Sequence, residues 1–247
     1  MSAEWNLLAD PQEAAEAAAG YLVGKLAKAL DSRPFATLAL SGGGGAQSLL
    51  PRLAALPCPW ARVHFFWTDE RCVPPLHTDS NFRLARELLL GPVGIPDSNI
   101  HRILGELDPS AAASRYAAEI RQFFALGPEG LPCFDMVHLG LGADGHTASL
   151  FPGEPLLEDR SGVAAPVYVE KRKSWRVTLL PGALLAAQRI LFFATGAEKA
   201  EAIRALRCEK LSPQRRPAQL ISHYGAEVAW FLDQAAGKLF PPPAQNV

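Results

Sequence analysis

Four short apolar runs in this chain each stop abruptly at a loop of glycine, acidic or amide residues, and this repeated arrangement constrains the fold more than any other feature. Residues 37–40 (Thr-Leu-Ala-Leu) run into Ser41-Gly42-Gly43-Gly44-Gly45, and residues 63–68 (Val-His-Phe-Phe-Trp-Thr) stop at Asp69-Glu70-Arg71. Residues 134–139 (Phe-Asp-Met-Val-His-Leu) lead into Gly140-Leu141-Gly142-Ala143-Asp144-Gly145-His146, and residues 189–195 end before Gly196-Ala197-Glu198-Lys199. Apolar runs of this length, bounded by turn residues, read as buried strands. Helical spacing fills much of the intervening chain. Ala14, Ala18, Tyr21, Leu22, Leu26 and Leu30 mark one helix after Asp10-Pro11, with others expected at 47–55, at 80–90 capped by Ser80 or Asp79, at 109–124 and at 198–206. Strands alternating with helices predict an α/β fold, a mostly parallel β-sheet flanked by helices on both faces.

Short strand candidates at 219–222 and 228–232 complete the pattern, and the segments 91–109 and 152–172, rich in Pro, Gly and charge, read as long loops. No linker divides the chain, which reads as a single domain over 1–247 with a proline-rich tail at 238–247 that is not expected to pack. A parallel sheet brings the carboxyl ends of its strands to one edge, where ligands of open α/β sheets bind. The four polar loops therefore converge. Taken singly each has a plain explanation: a tight glycine turn, solvated charges, an Asx-type turn with an exposed histidine, a first-turn lysine at Lys199, or an edge-strand arginine facing water at Arg176. His138, inside an apolar run, reads as a satisfied core histidine.

Composition limits what can bind at that edge. With 24 Lys and Arg against 25 Asp and Glu the net charge is −1, so no global basic field favours nucleic acid or an anionic membrane. An anion must be met locally. Exposed backbone N–H groups at the start of the helix after Ser41-Gly42-Gly43 suit a phosphate, and Lys199 or Arg176 could add charge. The loop lacks the Gly-Lys-Ser/Thr ending of a nucleoside-triphosphate loop, and Gln47 stands where a dinucleotide fingerprint wants glycine. Cys58, Cys72, Cys133 and Cys208 include no C-x-x-C pair, which argues against a structural zinc site and a disulfide framework. Without an apolar leader or spanning segment, the expected location is cytoplasmic.

The strings Asp69-Glu70-Arg71-x-Val73-Pro74 with Ser80-Asn81, and Gly140-x-Gly142-x-Asp144-Gly145-His146-Thr147-Ala148-Ser149-Leu150-Phe151-Pro152, are long and fixed in spacing. Together with Ser41-Gly42-Gly43, Arg176-x-Thr178 and Gly196-x-x-Lys199-Ala200, the chain resembles the glucosamine-6-phosphate isomerase/6-phosphogluconolactonase family over about residues 10–235. The resemblance is to its lactonase branch. It implies hydrolysis of 6-phospho-D-glucono-1,5-lactone to 6-phosphogluconate in the oxidative pentose phosphate pathway, by a monomer without metal or organic cofactor. A sugar-phosphate lactone would be the only partner. Ester hydrolysis needs a base for water, donors for the oxyanion and a grip on the phosphate. His146 would be the base, oriented by Asp144 or Asp69. Arg71 and backbone N–H groups of residues 140–145 would meet the oxyanion. Ser41, Gly42, Gly43, Arg176 and Lys199 would hold the phosphate, and Ser80 and Asn81 either sugar hydroxyls or the Asp69 loop. Gly44 and Gly45 depart from the hydroxyl or cationic side chains usual in the family, which implies a lost phosphate contact that backbone amides, Ser48 and the cations would offset.

Two rivals are weaker. Deaminases of the same family typically carry Asp-Glu-Tyr where this chain has Asp69-Glu70-Arg71, and an Asn-Glu-Pro segment where it has Leu150-Phe151-Pro152. A sugar-phosphate sensor would normally add a helix-turn-helix, for which there is no room before Thr37.

Overall fold

A computed structural model describes residues 3–240. The apolar runs form the expected strands: β2 (Ala36–Leu40), β3 (Val63–Trp67), β5 (Met136–Leu139) and β8 (Ile190–Ala194). With β1 (Glu4–Leu8) and β9 (Val228–Asp233) they make a six-stranded sheet in the order β1-β9-β8-β5-β2-β3. Every pairing in it is parallel. From β5, strands β2 and β3 lie on one side and β8, β9 and β1 on the other, so the strand order reverses beside β5 and a crevice opens at the carboxyl ends of β2, β5 and β8.

Helices cover this sheet because their apolar faces have nowhere else to go. In α1 (Pro11–Ser32), Asp10 caps the amide groups of Gln12 and Glu13 at 2.8 and 2.9 Å, and Pro11 occupies the first turn. Its buried face runs through Ala14, Ala18, Leu22 and Leu26, small residues at one end allowing close approach. The glycine run does not remain a loop: α2 (Gly44–Ala55) begins inside it, three residues earlier than its apolar spacing predicts. α3 (Asn81–Ala85) starts at Ser80 and passes into a wider turn at Arg86–Leu90. In α4 (Pro109–Phe123), the Tyr116 hydroxyl donates to the carbonyl of Trp67 and accepts from its amide, both at 2.8 Å, which anchors the helix to the end of β3.

Several elements depart from the sequence reading. Asp69–Arg71 is not loop but strand β4, and part of 152–172 is β6 (Ala164–Val169). Both pair antiparallel with β7 (Ser174–Leu179) in a second sheet ordered β4-β7-β6. Arg176 is therefore on the middle strand and not on an edge. α5 (Pro181–Leu185) and α6 (Ala200–Cys208) follow. Residues 219–222 form no strand but lie in α7 (Pro217–Tyr224), where Pro217 suits a helical first turn and the Gln219 amide donates to the Ala205 carbonyl at 3.2 Å. A four-residue apolar run has no period that separates helix from strand. After β9 comes α8 (Gln234–Gly237), and Phe240 packs on Trp5 and beneath Arg207, so the expected unpacked tail does not begin at 238. Its remainder, 241–247, lies outside the described residues. No helix among the described residues is long and apolar enough to cross a membrane.

Candidate active site

The loop after β5 folds back on itself through two hydrogen bonds donated by glycines. Gly142 donates to the carbonyl of His146 at 2.8 Å, Gly145 donates to that of Gly142 at 2.9 Å, and Gly145 has φ +84°. A Cβ on Gly142 would run into the His146 ring and the Asp144 carboxylate, so only glycine lets the pair sit so close to the backbone. His146 Nδ1 lies 2.5 Å from Asp144 Oδ1, which also accepts the His146 amide at 3.2 Å. This hydrogen bond to His146 holds the Asp144 carboxyl well below the usual carboxylate range. The other face of the ring lies against Phe151, centroids 4.3 Å apart. Nε2 makes no hydrogen bond among the described residues and is the ring atom free for a ligand.

Asp69 takes no part in orienting the imidazole. It is buried, accepts from the Ser149 hydroxyl at 2.7 Å and lies 3.8 Å from Arg176 Nη1. Glu70 beside it is a hub that the sequence reading passed over. Its two oxygens accept from the amides of Arg71, Asn81 and Phe82 at 2.7–2.8 Å and from the Ser80 hydroxyl at 3.0 Å. Burial pushes the Glu70 carboxyl up while those donors pull it down. Ser80 is thus committed to Glu70 and to capping Arg83, and it does not line the cavity; it serves the loop and not the ligand. Asn81 does line it, donating to the Asp69 carbonyl at 2.8 Å while its Oδ1 has no partner. A Cβ on Gly42 would collide with that Asn81 side chain.

These groups border a cavity of about 460 Å³ at the carboxyl ends of β2, β5 and β8. Ser41, Gly42, Gly43, Asp69, Arg71, His146, Arg176 and Lys199 all line it, which brings together residues spread over most of the chain. At one end α2 presents its first turn with no side-chain cap, so its leading amides are open to an anion. Lys199 also lines the cavity, with the Glu198 carboxylate 4.0 Å from its Nζ. Arg71 donates to the Asp79 carbonyl, while its Nε and the Nε of Arg176 are buried without partners. Burial works against the charge of Arg176. Two backbone donors expected at the oxyanion, Gly142 and Gly145, are used within their own loop. Ser48 does not line the cavity but donates to the Gly45 carbonyl at 3.3 Å.

Sequence reasoning missed Arg172, which reaches the cavity from the turn between β6 and β7; its only cue was the basic run Lys171-Arg172-Lys173. His138 is a second departure. It lines the cavity, and neither ring nitrogen has a hydrogen-bond partner, so it is not the satisfied core histidine that its apolar neighbours suggested.

The site sets a carboxylate-held imidazole and an uncapped helix start at one parallel sheet edge, the class of site in which open α/β sheets bind ligands. The chain belongs to the family of glucosamine-6-phosphate isomerases and 6-phosphogluconolactonases, whose model matches residues 9–230. Within that family it is similar to a 6-phosphogluconolactonase of Synechocystis, 37% identical with 98% of this chain and all of the relative covered. It is 38% identical to a human 6-phosphogluconolactonase, over 85% of this chain and 82% of that one. Its fold matches the 6-phosphogluconolactonase structure from Trypanosoma brucei with a TM-score of 0.84 and 30% identity, covering 97% and 99% of the two chains.

Proposed function

We propose that His146 activates water in the hydrolysis of 6-phospho-D-glucono-1,5-lactone to 6-phospho-D-gluconate, the lactonase step of the oxidative pentose phosphate pathway. The observation that carries this reading is the His146–Asp144 pair, with Nδ1 committed to the carboxylate at 2.5 Å and Nε2 left for the ligand. Asp144 fixes the tautomer in which Nδ1 carries the proton, so Nε2 is a base. It takes a proton from water as the water oxygen bonds to C1, and the carbonyl electrons move onto oxygen. Arg71 meets the developing negative charge, and Arg176, expected at the phosphate but lying over the Phe151 ring that stacks on His146, joins it there; the buried Nε groups of both lack partners. Collapse of the tetrahedral intermediate breaks the bond from C1 to the ring oxygen, and the imidazolium returns its proton to that oxygen. The phosphate lies against the uncapped start of α2 with Lys199 beside it.

Phe151 favours a lactonase over an amino-sugar deaminase. Its ring covers one face of His146, and among the described residues Asp144 is the one carboxylate bonded to that imidazole. The chain further reads as a cytoplasmic monomer: its four cysteines are unpaired, which suits a reducing compartment. Sedimentation at micromolar concentration is expected to give one 26.6 kDa species. The reaction is tested by following 6-phosphogluconate formation from fresh lactone, corrected for spontaneous opening, with glucosamine 6-phosphate in parallel. Acceleration with the lactone alone supports the reading. Turnover of the amino sugar, or of neither compound, overturns it.

A further inference from the structure

We propose that His138 belongs to the phosphate-holding end of the site, where its imidazole hydrogen-bonds the substrate's phosphate from the cavity floor, directly or through one water. The inference rests on the sugar-phosphate reading above and assigns a residue outside the motifs that led to it.

His138 lies on the central strand β5, paired with Leu191 of β8, two residues before Gly140. Two residues of strand span about 6.6 Å, so its side chain sits one pleat repeat below the strand end, on the same face as Gly140. It is 1% exposed, yet it lines the cavity together with Gly43, Gly44, Gly45, Phe193 and Lys199. Neither Nδ1 nor Nε2 has a hydrogen-bond partner. A buried polar ring left unpaired is costly, and its flanking strand residues are apolar, so packing alone gives no reason for an imidazole here.

The surroundings point to an anion as the missing partner. Burial alone pushes the His138 imidazole down to about 4, so near neutral pH it is uncharged and carries one N–H donor and one acceptor. The same cavity is lined by Gly43, Gly44 and Gly45 at the uncapped start of α2, where the proposed function puts the phosphate. Gly44 leaves open space there, since a Cβ at that position would meet nothing within 4 Å. In a chain with glycines at 44 and 45, the donor that a side chain on the loop would supply from above is supplied from below.

The test compares His138→Leu with His138→Gln and follows the ring nitrogens of the wild-type protein by ¹⁵N NMR during titration with inorganic phosphate. Leu fills the site with apolar atoms and is expected to fold at least as stably. The expected result is a KM for the phosphorylated lactone raised about ten-fold in the Leu variant, the scale of one hydrogen bond to a charged group, with kcat changed less than about two-fold. KM for unphosphorylated gluconolactone should stay within about two-fold, and Gln should recover part of the loss. The His138 ring signals should shift as phosphate saturates the site. An unchanged KM in the Leu variant, equal effects on both lactones, or ring signals indifferent to phosphate would each overturn the assignment. The titration needs no turnover, so it judges His138 even if the lactonase reading itself fails.

Discussion

Asp144 Oδ1 holds His146 twice, through ring Nδ1 at 2.5 Å and through the backbone amide at 3.2 Å. One carboxylate oxygen therefore fixes both where the ring is and which nitrogen it offers. Because the folded Asp144 carboxyl lies below its ordinary range, the stability this pair contributes is present above about pH 3.9 and is lost only as pH falls through the lower folded value. Mild acid leaves the pair intact.

Asp144→Asn keeps the shape and removes the charge that selects the Nδ1–H tautomer. Turnover of the lactone is expected to fall by about 10²–10⁴-fold with KM changed only a few-fold, the pattern of a group that acts on the base. Steady-state kinetics measures both constants.

Lys199 lines the cavity, with the Glu198 carboxylate 4.0 Å off, and the proposed function puts it beside the phosphate. Lys199→Ala should raise KM for the phosphorylated lactone by roughly 10–100-fold, the scale of a hydrogen bond to a charged group, and barely affect the unphosphorylated one. Equal effects on both substrates would remove Lys199 from the phosphate grip.

Glu70 accepts four hydrogen bonds inside the protein, three of them from backbone amides. Glu70→Ala strands those donors and is expected to cost about 3–5 kcal/mol, read from urea unfolding. Activity should fall as well, because Asn81 and the Asp69 strand lose the anchor that sets their distance from Gly42.

His138 contributes to the response to mild acid, as does His64, whose imidazole is also pushed down by burial. The folded value of His138 is depressed from 6.5 to about 4, so between these pH values the unfolded chain binds a proton that the folded one refuses, and stability falls as pH falls. The loss should reach on the order of 3 kcal/mol near pH 4, at 1.36 kcal/mol per unit. The His138→Leu variant should lack this component, giving a flatter stability profile from pH 7 to 4.

The parallel sheet and its functional edge were legible because Leu40, Thr68, Leu139 and Thr195 each hand an apolar run to a polar loop. The His146–Asp144 pair was legible for a local reason: two residues on one glycine turn can meet without help from the rest of the fold. Elements whose cause is distant were not. β1 has no fully buried residue and carries Glu4 and Asn6, and it exists because β9 offers an edge and Trp230 stacks on Trp5 at 4.8 Å. Asp69–Arg71 carries no apolar signature, and pairing with β7 makes it a strand. Arg172 reaches the cavity only because the turn between β6 and β7 folds over it, and the unpaired ring of His138 becomes visible only when its neighbours are known.

The central claim is that His146 activates the water, and turnover of His146→Asn measured against wild type tests it most directly. 6-Phosphogluconate formation is followed from fresh lactone, corrected for spontaneous opening, with product affinity checked in parallel by calorimetry. The account predicts turnover lowered by at least about 10³-fold with affinity for 6-phosphogluconate retained within a few-fold. Turnover within about ten-fold of wild type, in a variant that still binds, would contradict it.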